Sequence, residues 1–164
     1  MSISYLSLGT NLGERMVNLR VALERLSRSR IMILRLSSVY ETEPFEVTYS
    51  QARYLNMVIK IDFERDPFAL LETCLQVEDS LGRQRPHSHA PRTMDIDVLL
   101  IDDRTITHER LTVPHPHMER RPFVIHPLSE IEPFLALPSG RSVAEVKKAL
   151  GDDEIVGIRK FCHG

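Results

Sequence analysis

The chain has little cysteine and no marked excess of charge of either sign. Only Cys74 and Cys162 occur among its 164 residues, which excludes a disulfide framework, gives no zinc signature and favours a reducing compartment. The 21 basic and 23 acidic side chains nearly balance, so nothing global indicates binding to nucleic acid or to a membrane surface. No apolar run approaches membrane-spanning length, and the N-terminus lacks a secretory pattern. These absences predict a soluble, cytoplasmic protein.

The hydrophobic pattern predicts one α+β domain. A chain of 164 residues, 42% of them hydrophobic, is long enough for one core and too short for two ordinary domains, so a single domain over 1–164 is expected. Its periodicities give the order strand, helix, strand, strand, helix, strand, which matches a ferredoxin-like split βαβ plan with a mainly antiparallel sheet and both helices on one face. The predicted elements are a strand over 3–8, a helix with Met16, Leu19, Leu23 and Leu26 on its apolar stripe, strands over 31–40 and 54–62, a helix over 67–81, a strand within 92–101, a short strand near Ile106 and a last helix over 143–150. Recurrent prolines from Pro114 to Pro138 are expected to break up long elements between the last two.

Two carboxylates stand in the otherwise apolar segment RTMDIDVLLI, residues 92–101. Positions two apart in a strand point the same way, roughly 6 to 7 Å apart, so Asp95 and Asp97 share a face while Ile96 and Val98 pack behind them. Such a pair suits Mg²⁺, which prefers carboxylate oxygens and is completed by water and substrate phosphates. When a D-x-D motif occurs without other signals, it more often belongs to an edge strand whose polar face is exposed to water. The surrounding sequence decides between the two.

The preceding stretch RQRPHSHAPR, residues 83–92, is basic and contains no acid. It carries Arg83, Arg85, Arg92, His87 and His89. Its arginines suit phosphate and would repel zinc, so a zinc site at the histidines is disfavoured. The glycines of GTNLGER lack the lysine of a phosphate-binding loop and the Rossmann spacing, so they are interpreted as a tight turn that caps a helix.

Three further positions carry candidate polar chemistry. His115, in LTVPHPHMERR beside Arg110 and Arg121, is either a phosphate hydrogen-bond donor or a loop histidine with no task, and the spacing does not separate the two. Tyr54 and Asn56 share a strand face, where an aromatic ring beside an amide suits a flat nitrogen heterocycle. The alternative interpretation is that Tyr54 and Asn56 lie on an exposed sheet face and bind nothing. Phe123 is by default a core residue.

Taken in order along the chain, these segments resemble 6-hydroxymethyl-7,8-dihydropterin pyrophosphokinases of the folate pathway. The resemblance runs from about Ile3 to Pro138 and rests on GTNLGER with NLRVAL, SSVYETEPF, YLNMV, APRTMDIDVLL, LTVPHPHMERRPFV and HPLSEIEP. Its most specific part is APR-x-x-D-x-D followed by LTVPH and then R-x-F. The tail after Gly140 adds nothing to it.

The resemblance implies transfer of pyrophosphate from ATP to the hydroxymethyl group of the pterin, with release of AMP. It implies that Asp95 and Asp97 bind two Mg²⁺ ions. It also implies that Arg83 and Arg92 stabilise the negative charge on the phosphates as it shifts during transfer. The implied pterin site comprises Thr42, Glu43, Phe45, Tyr54, Asn56, Asp95 and Phe123. The implied ATP site comprises Leu75, Glu78, Arg83, Arg85, Arg92, Val98, Arg110, Thr112, His115 and Arg121. The partners would be these small molecules, with no nucleic acid or membrane, and a monomer is expected because the site is self-contained.

The resemblance also has departures and competitors. The loops after Gly9, over 43–53 and over 82–91 would be mobile lids. Glu43, Leu75, His89 and Pro116 differ from residues found in some family members. A two-metal nucleotidyl cyclase or nuclease would also use paired aspartates, and a non-catalytic ferredoxin-like module would leave them idle.

Overall fold

The computed structural model describes residues 1–42, 53–82 and 93–161. Its strands are β1 (Ile3–Thr10), β2 (Met32–Leu36), β3 (Tyr40–Thr42), β4 (Tyr54–Asp62), β5 (Asp95–Ile101), β6 (Ile106–Thr107), β7 (Thr112–Val113) and β8 (Ile158–Lys160). Its α-helices are α1 (Arg15–Ser27), α2 (Pro67–Ser80), α3 (Pro122–Ile131), α4 (Val143–Leu150) and α5 (Asp153–Val156), with a 3₁₀ turn at Met118–Arg120. Among the helices described, none is long and apolar enough to cross a bilayer.

One antiparallel sheet organises the molecule. Its strands lie in the order β5-β1-β4-β3-β8, with β2 also paired to β4, while β6 and β7 form a separate two-stranded ribbon. The pairs β1 with β4, β1 with β5 and β2 with β4 are all antiparallel, as the split βαβ plan requires. The predicted α+β fold with a mainly antiparallel sheet is therefore confirmed.

Two of the three predicted helices, α2 and α4, begin where the sequence indicated. Asp66 caps α2 by accepting a hydrogen bond from the Phe68 amide at 2.6 Å, and Pro67 occupies the first turn, where its missing amide hydrogen costs nothing. Ser142 and Glu145 form a reciprocal capping box at the start of α4. The first turn of each of these helices is thus fixed by local sequence.

The strand predicted over 31–40 is instead divided into β2 and β3. Both parts pair with β4, and the interruption falls at Ser37 and Ser38. The Ser37 hydroxyl accepts from the Val58 amide at 2.9 Å, and the Ser37 amide donates to the Val58 carbonyl at 2.9 Å. A side chain therefore replaces one ladder hydrogen bond, so the chain can bend without leaving a buried amide unpaired.

The sheet is covered on both faces. Leu55, Met57, Ile59 and Ile61 of β4 join the core formed with α1 and α2, whereas Val58 joins a second core formed with α3 and α4. Helices α1 and α2 share one face as predicted. The helix α3 was not predicted, because Pro122 and Pro127 were interpreted as breakers, and it covers the face that carries Tyr54 and Asn56.

Candidate active site

The polar candidates line up in register across the neighbouring strands β4, β1 and β5. Asn56 of β4 pairs with Gly9 of β1, and Gly9 pairs with Asp95 of β5. In the next row on the same face, Val58 pairs with Ser7 and Ser7 with Asp97. Directly paired residues point to the same side of a sheet, so Asn56, Asp95 and Asp97 share the face covered farther along by α3.

The paired carboxylates are presented as their spacing predicted. Ile96 and Val98 are buried in the opposite core, whereas Asp95 and Asp97 remain half-buried on the site face. Nη1 of Arg121 lies 3.8 Å from Oδ2 of Asp97, whose side chain is 35% exposed. Arg121 also lies over the Phe123 ring, with its guanidinium carbon 5.6 Å from the ring centroid.

Glu78, a predicted ATP ligand, lies beneath the strand that carries the aspartates. It is buried in α2, and its Oε2 accepts a hydrogen bond from the Ile96 amide at 2.7 Å. Because Ile96 stands between Asp95 and Asp97, this contact fixes the backbone that presents both carboxylates. The structure thus gives Glu78 a contact to the protein main chain, and its contact with ATP stays a prediction.

A cleft of about 250 Å³ runs beside β5, an edge strand of the sheet. Its walls include five residues assigned by the resemblance to ATP or metal binding, namely Asp97, Val98, Arg110, Thr112 and His115. The remaining lining residues are Leu71, Ile96, Glu109, Leu111 and Pro116. Leu75, one helical turn after Leu71, lies on α2 and is half-buried. Arg110 forms an ion pair with Glu72 of α2, so the cleft brings α2, β5 and the β6-β7 ribbon together.

His115 is held as a neutral hydrogen-bond donor. Burial, followed by the positive charge of Arg121 and the electrostatic effect of His117, lowers the pKa of His115 from its usual 6.5 to about 4. Its Nδ1 accepts from the His117 amide at 3.1 Å, so the neutral ring carries its hydrogen on Nε2. A donor of this kind, in the wall of the cleft, fits the phosphate role better than that of an idle loop residue.

This lowered pKa predicts a pH dependence of stability. Between pH 6.5 and about 4 the unfolded chain binds a proton at His115 that the folded chain does not. The free energy of unfolding should therefore fall as the pH falls through this window, and His115→Gln should reduce the fall. Urea denaturation of both proteins at pH 7 and pH 5 measures it. An equal loss of stability in both would contradict the assignment.

Three of the pterin-site candidates, Thr42, Tyr54 and Asn56, lie together at the start of β4. Thr42 pairs with Tyr54, and Nδ2 of Asn56 donates to Oγ1 of Thr42 at 2.8 Å. Asn56 is only 4% exposed, so the interpretation of this strand face as an exposed surface is wrong. Phe123 is half-buried near the start of α3 and packs against the second core. It borders the site and is not a fully buried core residue.

Gly9 permits a close approach that sequence reasoning missed. A Cβ atom at this position would lie 2.8 Å from Oδ1 of Asn56 and 3.8 Å from Cδ1 of Tyr54. Gly9 thus leaves bare backbone between the Asn56 amide and Asp95. The glycine in GTN was interpreted as a turn former, whereas it is the penultimate residue of β1.

Gly9→Ala should displace the Asn56 amide and impair use of the pterin. We expect roughly a tenfold or greater rise in its KM, because a displacement of a few tenths of an ångström already disturbs paired hydrogen bonds. The KM of ATP should change little, since its predicted site lies beyond β5. Steady-state assays varying each substrate check this. Equal rises in both constants would indicate a general disturbance instead.

Several predicted residues fall outside the described part of the chain. These are Glu43, Phe45, Arg83, Arg85 and Arg92, together with His87 and His89. The segments 43–52 and 83–92, to which lid functions were assigned, lie there as well.

The donor set suits a magnesium ion that is completed by substrate. Among the described residues, no three His, Cys, Asp or Glu side chains form a group able to hold a metal alone. Asp95 and Asp97 supply hard carboxylate oxygens on one face, and Mg²⁺ is commonly bound by one or two carboxylates plus water and phosphate oxygens. The pair therefore fits Mg²⁺ bound together with a nucleotide better than a closed structural metal site.

Fold and site together define an α+β protein with a paired-carboxylate site at the edge strand of an antiparallel sheet, beside a cleft. The sequence model of the 7,8-dihydro-6-hydroxymethylpterin-pyrophosphokinase (HPPK) family matches residues 5–133. The chain belongs to this family.

Curated relatives agree with the match. A 2-amino-4-hydroxy-6-hydroxymethyldihydropteridine pyrophosphokinase of Bacillus subtilis is 44% identical over 132 residues, which cover 79% of this chain and 78% of the relative. The protein of the same name from Haemophilus influenzae is 36% identical and covers 96% of this chain and 99% of the relative.

Solved structures support the fold. A crystal structure of an HPPK-DHPS in complex with substrates matches 90% of this chain with a TM-score of 0.74 at 14% identity. A Plasmodium falciparum HPPK-DHPS variant with pterin and p-hydrobenzoate matches 97% of this chain, also with a TM-score of 0.74, at 13% identity. This chain spans only 43% and 47% of those two chains.

Proposed function

We propose that this protein transfers pyrophosphate from ATP to the hydroxymethyl group of 6-hydroxymethyl-7,8-dihydropterin, releasing AMP, in folate biosynthesis. The hydroxyl oxygen forms a bond to the β-phosphorus of ATP, the bond from that phosphorus to the α-phosphate bridging oxygen breaks, and the hydroxyl proton is released. Family membership and the names of relatives that match most of this chain support the reaction.

The observation that carries the proposal is the row formed by Asn56, Gly9 and Asp95. It spans two strand spacings, about 10 Å, which suits a flat fused-ring heterocycle lying over the bare backbone of Gly9. The amide of Asn56 would bind the polar edge of the ring, and Tyr54 and Phe123 would contact its faces. The hydroxymethyl group would then point toward the carboxylates.

On the nucleotide side, the residues of the cleft would bind and orient ATP. Arg110 and Arg121 would neutralise phosphate charge, and His115 would donate from Nε2. Arg83, Arg85 and Arg92 complete the proposed phosphate site on the strength of the sequence alone. Thr112, Val98 and Leu75 would contact the nucleoside.

Asp95 and Asp97 would hold two Mg²⁺ ions, which when bound supply charge neutralisation at the ATP phosphates. No covalent nucleophile is needed, because catalysis of this kind depends on positioning and electrostatic stabilisation. Glu78 would keep the two carboxylates in place through the Ile96 amide.

The remaining proposals concern organisation. We expect a single pyrophosphokinase domain over 1–164, a monomer with a self-contained site, and a cytoplasmic location where ATP and reduced pterins are available. The cyclase or nuclease alternative and the non-catalytic alternative gain no support from the relatives, which are named as pyrophosphokinases.

The product formed from ATP tests the reaction. Incubated with MgATP and 6-hydroxymethyl-7,8-dihydropterin, the protein should release AMP in amounts equal to the pterin consumed, as followed by ion-pair chromatography. Omitting the pterin should stop AMP formation. ADP, free pyrophosphate, or AMP formation independent of the pterin would contradict the proposal.

A further inference from the structure

Glu41 occupies the middle of β3 and points away from the candidate site. Its neighbours Tyr40 and Thr42 pair with Asn56 and Tyr54, whereas Glu41 pairs with Leu55, whose side chain lies in the core of α1 and α2. Side chains alternate along a strand, so the Glu41 carboxylate lies behind the floor of the site. Its side chain is only 9% exposed.

Arginines from three separate segments converge on this carboxylate. Arg159 of β8 donates to Oε1 from Nη2 at 2.5 Å and from Nε at 3.2 Å, and Arg15 of α1 donates to Oε2 at 2.9 Å. Nη1 of Arg53 lies 4.0 Å from Oε1. Arg15 Nη1 also donates to the Arg53 carbonyl at 2.8 Å. The guanidinium of Arg15 therefore joins β3 to the residue that immediately precedes β4.

The hydrogen bonds from Arg159, followed by those from Arg15, lower the pKa of Glu41, so the carboxylate stays ionised at neutral pH. A mostly buried charge held this way gives β3 a defined position relative to α1, β4 and β8. Strand β8 lies beyond residues 5–133, which the family matches, and Arg15 further stacks near Phe161, 5.5 Å from its ring centroid.

We propose that Glu41, held by Arg15 and Arg159, is a positioning residue for the pterin site. The inference rests on the proposed function and extends it to residues that do not touch substrate. The Glu41 cluster (Glu41, Arg15, Arg53 and Arg159) holds β3 in place and therefore fixes the position of Thr42 in the site. The Thr42 hydroxyl accepts a hydrogen bond from the Asn56 amide at 2.8 Å and so orients that amide. The C-terminal strand thereby determines how well the amide meets the heterocycle.

Adjacent residues of β8 provide a matched pair of variants. Arg159 contacts Glu41, whereas Lys160 contacts Glu130, with its Nζ 3.4 Å from Oε2. Both are largely exposed, at 67% and 56%, so replacing either with methionine should leave the chain folded. Arg159→Met and Glu41→Gln should each raise the KM of the pterin by roughly tenfold, leaving the KM of ATP within about twofold. Lys160→Met should change neither constant.

Three measurements decide the outcome. AMP release by the unaltered protein comes first, and its absence would overturn both the proposed function and this inference. If AMP is released, equal KM values for the pterin in Arg159→Met and Lys160→Met, whether both raised or both unchanged, would overturn the inference alone. The double variant Glu41→Gln with Arg159→Met should be no worse than Glu41→Gln, because both changes remove the same contact. Additive losses would contradict the assignment, and thermal unfolding of each variant confirms that folded proteins are compared.

Discussion

Asp97→Ala is expected to reduce AMP formation by roughly a thousandfold or more, because losing one of two charged metal ligands removes electrostatic stabilisation at the reacting phosphates. The fold should tolerate the change. Asp97 is half-buried, Nη1 of Arg121 lies 3.8 Å from its carboxylate, and partly exposed pairs of this kind contribute about 1 kcal/mol or less. Turnover measured at saturating MgATP and pterin, together with the thermal unfolding midpoint, checks both parts of the expectation.

Two further variants make the result specific to the position and to its charge. Asp103→Ala removes an exposed carboxylate from the turn after β5 and should leave turnover unchanged. Asp97→Asn preserves the size of the side chain but not its charge, so it should be nearly as inactive as Asp97→Ala. Magnesium-dependent binding of a non-hydrolysable ATP analogue should weaken in both Asp97 variants. Full turnover by Asp97→Ala would refute the metal-binding assignment, and with it the role proposed for the pair.

The period-two pattern was enough to predict the presentation of the aspartates. Asp95 and Asp97 alternate with Ile96 and Val98, and burying the apolar pair forces the acidic pair to the other face. The same argument divided β4 correctly, with Leu55 and Met57 on the core side. These features follow from local sequence, because alternation along one strand needs no knowledge of the rest of the chain.

The cover of the site face could not be predicted from local signals. Helix α3 contains Pro127, which cannot donate a hydrogen bond and is costly within a helix. Ile125 and Leu128 on either side of it are buried, and apolar burial against the sheet offsets that cost. Tertiary packing thus overrode a strong local signal. Because α3 was not predicted, the strand face that carries Asn56 could be interpreted as exposed, which is wrong.

The support behind the site was even less visible in the sequence. Glu41 and Arg159 are 118 positions apart, and β8 has only three residues, too few for a periodicity to identify. Gly9 was noticed, but its role depends on Asn56 lying on the neighbouring strand. Contacts of this kind depend on which strands lie next to each other. The periodicity along a single strand does not give that information.

Asn56→Ala is expected to lower kcat/KM for the pterin by about a hundredfold or more. The amide can supply a donor and an acceptor from a site that is almost fully shielded from water, and leaving buried polar groups of the ligand unpaired is costly, at about 1–3 kcal/mol for each group. Binding of the ATP analogue should be unaffected, because two strand spacings separate Asn56 from Asp95 at the edge strand. Truncation would also leave Thr42 without the 2.8 Å hydrogen bond, so some loss of stability is expected.

Lys60→Met is the matched control for this loss of stability. Lys60 lies on the same face of β4 as Asn56, at the other end of the strand, and forms an ion pair with Glu132, 2.5 Å away. The Lys60→Met substitution should lower the unfolding midpoint without changing the KM of either substrate. Fluorescence titration of the pterin in the presence of the ATP analogue separates binding from turnover. Unchanged pterin affinity in Asn56→Ala would mean that the heterocycle binds elsewhere, since no ring lying over Gly9 between Asn56 and Asp95 could avoid this amide.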